Sequence, residues 1–166
     1  MSPNASHGVA TARMRESPMP TQRQILGRAG EMAVAKTCIC PRCKRSHTLV
    51  RLPANFKCAD LICDFCGYLA QVKATRVADV EVIPKAVLGA AWGPQEARMR
   101  ASIFFPLFLV LLNSARRKAI YYLAADLQTE DMFIPRKPLS SRARRAGWQG
   151  FMYDLRSVQD RFVRLI

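Results

Sequence analysis

The sequence predicts a mixed α/β sheet flanked by helices and carrying an inserted four-cysteine zinc ribbon. Three observations lead there. Two C-x2-C pairs, Cys40/Cys43 and Cys63/Cys66, interrupt the first half of the chain. A continuous apolar run from Ile103 to Leu112 has the composition of a strand buried on both faces. Around them the periodicity runs helix, ribbon, strands, helix, strands, an order that suits a mixed sheet.

Residues 1–22 read as a disordered tail, because Pro3, Pro18 and Pro20 sit among small polar residues without periodicity. A helix is expected over 23–37, where Ile25, Leu26, Ala29, Ala33 and Val34 recur at helical spacing. Residues 38–68 read as knuckle, loop, strand, knuckle. Tyr68–Val72 is expected to be a strand, and the alternating residues 79–83 another strand or strand end. Pro94 suits the first position of a helix reaching about Ala101. The run at 103–112 follows as a central strand, Ser114–Lys118 as a basic turn and Ala119–Ala125 as a further strand. Residues 135–147, with two prolines and five basic side chains, read as a long loop. Trp148–Leu155 and Phe162–Ile166 close the sheet.

A length of 166 residues and an apolar half fit one packed domain, here 23–166. The net charge of +14 predicts attraction to a polyanion, either nucleic acid or an anionic membrane. No apolar leader is visible, and the run at 103–112 is too short to span a bilayer and is broken by Pro106. A membrane location is therefore not expected. Four of the six cysteines form knuckles, which favours metal thiolates in a reducing, cytoplasmic setting over disulfides.

The knuckles are separated by nineteen residues and supply four thiolates, enough to close a tetrahedral zinc site with no open position. Zinc (Zn2+) on Cys40, Cys43, Cys63 and Cys66 is thus expected to be structural. Gly67 allows the tight turn after the second knuckle. Four buried cysteines packed as small hydrophobes are the alternative, and the flanking Arg42, Lys44 and Asp64 argue against it. Cys38 and Cys58 fit the ligand pattern less well, and His47 reads as a solvated loop residue.

The second knuckle reads as the tip of a hairpin. Asp60 lies on the entering strand and Gln71 on the leaving one, so the hairpin brings them side by side. Alternation puts Gln71 and Lys73 on one face and Val72 on the other. A carboxylate, an amide and an ammonium converging there suit phosphodiester hydrolysis by a hard cation such as Mg2+. Asp60 would anchor the metal. The Gln71 side-chain carbonyl and the Val72 backbone carbonyl would be neutral ligands, and Lys73 would orient water or stabilise the phosphorane. The spacing D-x10-Q-x-K also fits a solvent-facing polar strand.

Arg136, Lys137, Arg142, Arg144 and Arg145 lie in one ten-residue stretch without an acid. Arginine forks suit phosphates and guanine edges, so this loop is the candidate grip on double-stranded DNA. Trp148 is expected to pack its base. Arg116, Arg117 and Lys118 form a smaller patch that caps a turn.

Together, Ala59-Asp60 with the second knuckle, Gln71-x-Lys73, and the run from Arg136 to Leu139 and Ala143 to Trp148 resemble the catalytic domain of the DpnI-type restriction endonucleases. The likeness covers about 27–73 and 134–166. It implies a restriction-endonuclease-like fold of the PD-(D/E)XK type, a metal-dependent DNA endonuclease activity of restriction or defence type, and methyl-directed cutting. Glu31, nine residues before the first ribbon cysteine, fits that family's first-helix acid. Two departures stand out. Gln71 replaces the second acid and brings no charge, so metal affinity should fall or a further acid (Glu31, Asp64, Asp79 or Glu81) should help. The winged helix that contributes methyl-specific binding in DpnI has no expected counterpart before Ile166. A DNA-binding module on the same fold without cleavage is the competing expectation. A zinc-ribbon protein that binds RNA or another protein is a third. No sequence feature specifies an oligomeric state.

Overall fold

The computed structural model describes residues 19–54, 56 and 59–166. The tail expected over residues 1–22 lies, up to residue 18, outside the described residues.

Helix α1 (Gln22–Thr37) starts at Thr21, whose hydroxyl accepts from the Gln24 N–H while the Gln24 side chain accepts from the Thr21 N–H. This capping box satisfies two otherwise orphaned donors. The helix stops at Cys38, which turns to extended backbone. Strands β1 (Leu49–Arg51), β2 (Leu61–Cys63) and β3 (Leu69–Arg76) follow. Next come β4 (Ala86–Ala91), α2 (Trp92–Arg100), β5 (Leu107–Leu112) and β6 (Lys118–Leu123). The chain closes with β7 (Phe133–Pro135), β8 (Gly150–Asp154) and β9 (Val163–Arg164).

Six strands form a mixed sheet in the order β1-β2-β3-β5-β6-β9, and three form a second sheet in the order β4-β8-β7. Among the described residues only the β3–β5 pair of the large sheet is parallel, with Gln71, Val72 and Lys73 opposite Leu107, Phe108 and Leu109. The crossover between them carries β4 and α2, as a parallel connection requires.

Strand β5 explains the layering. Its residues Leu107, Phe108, Leu109, Val110 and Leu111 are all buried. Phe108 and Val110 face α1 with Val34, Ala70, Val72 and Ile120. Leu107, Leu109 and Leu111 face the second sheet with Val87, Phe151 and Tyr153. Two covered faces leave no polar position, hence the unbroken apolar run.

The structure departs from expectation at several elements. Residues 79–83 are a turn, closed by Asp79 Oδ1 accepting from the Glu81 N–H at 3.0 Å. Val80 and Ile83 are buried from that turn while Val82 is exposed, so their alternation comes from anchoring and not from pleating. The strand is instead β4, which contains Gly89. A Cβ on Gly89 would lie 2.5 Å from the Phe151 ring, so the absent side chain lets β4 meet β8. Helix α2 begins two residues before Pro94, still within the first turn where a missing N–H is harmless. Residues 103–106 precede β5 as coil, β3 runs on to Arg76, and β7 pairs with β8 unforeseen.

Two glycines of α1 separate packing from propensity. A Cβ on Gly30 would sit 2.6 Å from the Ala74 Cβ, whereas one on Gly27 meets nothing within 4 Å. Both replacements by alanine gain helix propensity, roughly 0.5–1 kcal/mol. Gly27→Ala should therefore raise the denaturation midpoint. Gly30→Ala should lower it, because overpacking costs about 1–3 kcal/mol. Equal midpoints in urea would show that α1 does not press on β3 there.

Candidate active site and metal centre

The ribbon is built by two knuckles of matching backbone. In the first, the Lys44 N–H donates to the Cys40 carbonyl at 2.9 Å, and Lys44 takes a left-handed φ of 60°. In the second, the Gly67 N–H donates to the Cys63 carbonyl at 2.9 Å, with φ 71°. The second knuckle is the turn of the β2–β3 hairpin, as the spacing suggested. It brings four sulfurs together, all within 4.8 Å of one another. Cys40 Sγ lies 3.7 Å from Cys66 Sγ, and Cys43 Sγ lies 3.7 Å from Cys63 Sγ. Zinc–sulfur bonds of about 2.3 Å in a tetrahedron separate the sulfurs by about 3.8 Å. The donor set and its spacing fit a zinc ion, and the cluster can hold one. His47 is exposed and Cys38 is buried apart from the cluster. Cys58 lies outside the described residues.

The thiols differ in acidity. Burial pushes Cys40 up to about 12. Burial would raise Cys63 as well, but hydrogen bonds from Thr48 and from the Cys66 and Phe65 backbone bring it to about 6. Binding zinc must strip protons from the group.

Asp60 sits one residue before β2, where the hairpin ladder ends. Its N–H donates to the Ala70 carbonyl at 2.9 Å, and its Oδ2 accepts from the Val72 N–H at 2.7 Å. The carboxylate thus occupies the edge of β3 that β2 has vacated. A strand residue's N–H and C=O point to the same side, so the Val72 carbonyl opens on that edge too. Glu31 reaches the same region from α1 and pairs with Arg51 of β1 at 2.8 Å. Glu31, Asp60, Val72 and Lys73 line one cleft of about 430 Å³. A neighbouring cleft of about 470 Å³ shares Gly27, Glu31 and Asp60 with it and adds Arg51.

Gln71 turns toward the second sheet. Its Oε1 accepts from the Tyr153 hydroxyl at 2.6 Å. Tyr153 is buried, and burial, then the Asp60 charge, raise its pKa well above the usual phenol range while the Arg98 charge lowers it. Arg51, Arg98 and Tyr153 carried no signal in the sequence. Arg51 meets Glu31, and Tyr153 meets Gln71, only through contacts between distant segments.

The five basic residues of the 136–149 loop are exposed, and among the described residues none forms an ion pair. Arginines elsewhere do pair: Arg117 and Arg164 with Glu81, Arg156 with Asp154. The loop is nonetheless ordered. Leu139 and Gly147 are joined by hydrogen bonds to the far side of the loop, and Arg145 stacks 4.7 Å over the Trp148 ring. Trp148 in turn packs against Gly150 at the loop's base. In the smaller patch the Arg117 N–H donates to Asn113 Oδ1 and closes a turn, as expected.

Cys63→Ser should lose the metal and much of the stability, because zinc-site binding energy is folding energy. Thiolates bind zinc and thiols do not, so acidification should release the ion and the stability it supplies. A zinc-sensitive dye and thermal melts over falling pH check both. A mutant that keeps its zinc and its melting temperature would contradict the ligand set.

Among the described residues no helix is long and apolar enough to cross a membrane. No curated protein matches the chain. The family described as DpnI: Dam-replacing family matches residues 17–166, which include the ribbon, the cleft and the basic loop. That family points to a nuclease of restriction type acting on DNA. With the match running through all of these features, the chain belongs to the DpnI, Dam-replacing family.

Proposed function

We propose that residues 23–166 form a single metal-dependent DNA endonuclease domain of restriction or defence type that works in the cytoplasm. One observation carries the reading: Glu31, Asp60, Val72 and Lys73 line one cleft in a member of this family. Its donor set of carboxylates and carbonyls suits a hard divalent cation. Asp60 would anchor Mg2+, with the Val72 carbonyl and the Gln71 Oε1 as neutral ligands and Glu31 as a second acid. When bound, the cation polarises the phosphate and acidifies the attacking water. Lys73 orients that water and offsets charge on the phosphate. The basic loop with Arg136, Lys137, Arg142, Arg144 and Arg145 holds the duplex by its phosphates. Zinc keeps the ribbon, and with it the hairpin that carries Asp60 and Gln71, in register. The resemblance to the DpnI-type nucleases makes methylated DNA a candidate substrate.

Asp60→Asn keeps an acceptor for the Val72 N–H and removes the charge. It should cut plasmid at least on the order of 10²-fold more slowly in Mg2+ while still binding DNA. Parent-like cleavage would remove Asp60 from the site. Methylated and unmethylated plasmid, run side by side, test methyl direction.

A second reading, a DNA-binding module without cleavage, is favoured by Gln71, which contributes no negative charge. Purified, zinc-loaded protein that cuts no DNA in Mg2+ or Mn2+ would establish it. The loop serves both readings. Arg144→Ala with Arg145→Ala should weaken binding and flatten its log–log salt dependence by about 0.9 for each phosphate that is no longer neutralised. An unchanged slope would place the duplex elsewhere.

A further inference from the structure

We propose that Gly27 leaves an opening on α1 where the backbone of one DNA strand crosses the site, with Arg23 and Arg28 holding the phosphates on either side. The inference rests on the nuclease reading above and deepens it by naming residues that position the substrate. A glycine inside a helix weakens it, and a fold has use for one where φ is positive or where another group comes close. Gly30 has such a neighbour in Ala74. Gly27 has no such neighbour. It is helical, whereas the glycines with positive φ among the described residues are Gly67 and Gly147. A Cβ added to it would meet nothing within 4 Å. Packing and backbone conformation therefore both accept a side chain there, and a ligand passing close to the helix would not.

Its position identifies the ligand. Gly27, Glu31 and Asp60 line both clefts, so the clefts abut there. Gly27 lies one turn before Glu31 on the same face of α1, and a side chain on it would stand between the two clefts. Each cleft carries its own cations, Arg28 and Arg51 in one, Arg23 and Lys73 in the other. Arg51 is engaged with Glu31. Arg23 and Arg28 are exposed, and among the described residues neither forms an ion pair. They lie about 140° apart around the helix at 3.6 residues per turn, with Gly27 and Glu31 in the angle between them. The order across the site is thus cation, carboxylates, cation. A phosphodiester chain suits that order. Its flanking phosphates meet arginine forks, and its central phosphate meets the two acids through a hard divalent cation.

The experiment uses the full, zinc-loaded chain in four forms: parent, Gly27→Ala, Gly27→Met, and Arg23→Ala with Arg28→Ala. Methionine is a good helix former and brings no charge. Urea midpoints of both Gly27 variants should equal or exceed the parent's. Gly27→Met should nonetheless cut plasmid in Mg2+ at least about tenfold more slowly, with Gly27→Ala in between, since a misplacement of about 1 Å can cost on the order of 10²-fold. Calorimetry with Mn2+ and no DNA separates a blocked strand from a damaged metal site, and Gly27→Met should match the parent there. The arginine variant should flatten the log–log salt dependence of duplex binding by about 1.8, or about 0.9 per phosphate. Gly27→Gln replaces the methionine variant if that one does not fold. Parent-like cutting by Gly27→Met, or a loss of Mn2+ binding alongside the loss of cutting, would overturn the opening and leave the nuclease reading standing. An unchanged salt slope would overturn the role of Arg23 and Arg28. A parent that cuts no DNA would overturn the nuclease reading, and equal duplex affinity of parent and Gly27→Met would then overturn the opening as well.

Discussion

Strand β3 is held between α1 and the second sheet, and that constraint organises the molecule. Its even-numbered residues Ala70 and Val72 are buried beneath α1, and Ala74 meets Gly30 so closely that no Cβ fits between them. Its odd-numbered residues turn the other way, where Gln71 meets Tyr153 of the second sheet. A strand clamped in this way cannot slip by one residue without exchanging its two faces. Lys73 and the Val72 backbone are therefore held in fixed relation to Asp60, which itself bonds to the Val72 N–H. The cleft is a consequence of that register.

The ribbon reinforces the same register from the far end. Cys63 and Cys66 form the turn of the β2–β3 hairpin, and Cys40 and Cys43 come from the segment that leaves α1. A metal at this cluster would tie helix to hairpin by bonds far stronger than any one apolar contact. Cys40 and Cys63 are also part of the apolar core on the α1 side, so metal site and core are continuous.

Charge is distributed by role. Glu81 gathers Arg117 and Arg164, and Glu31 gathers Arg51, so these cations are matched by acids. The loop between β7 and β8 is different, because its cations are ordered by backbone hydrogen bonds and by Trp148 and not by acids. Ordering cations without neutralising them costs self-repulsion, which a bound polyanion relieves.

The local signals determined a good deal. Cysteine spacing carried the ribbon, because a tetrahedral thiolate site tolerates few spacings. The unbroken apolar run carried β5, and helical periodicity carried α1 to within one residue of its start. The hairpin geometry brought Asp60 beside β3, since neighbours across a short turn are local in sequence. Tertiary structure decided the rest. The second sheet was not legible, because β7 is three residues long and β4 is interrupted by the glycine that lets Phe151 approach. The pairing of Glu31 with Arg51 and of Gln71 with Tyr153 spans 20 and 82 residues of chain. No periodicity or spacing encodes a contact across such a distance. It exists only once α1 and the second sheet have closed on β3.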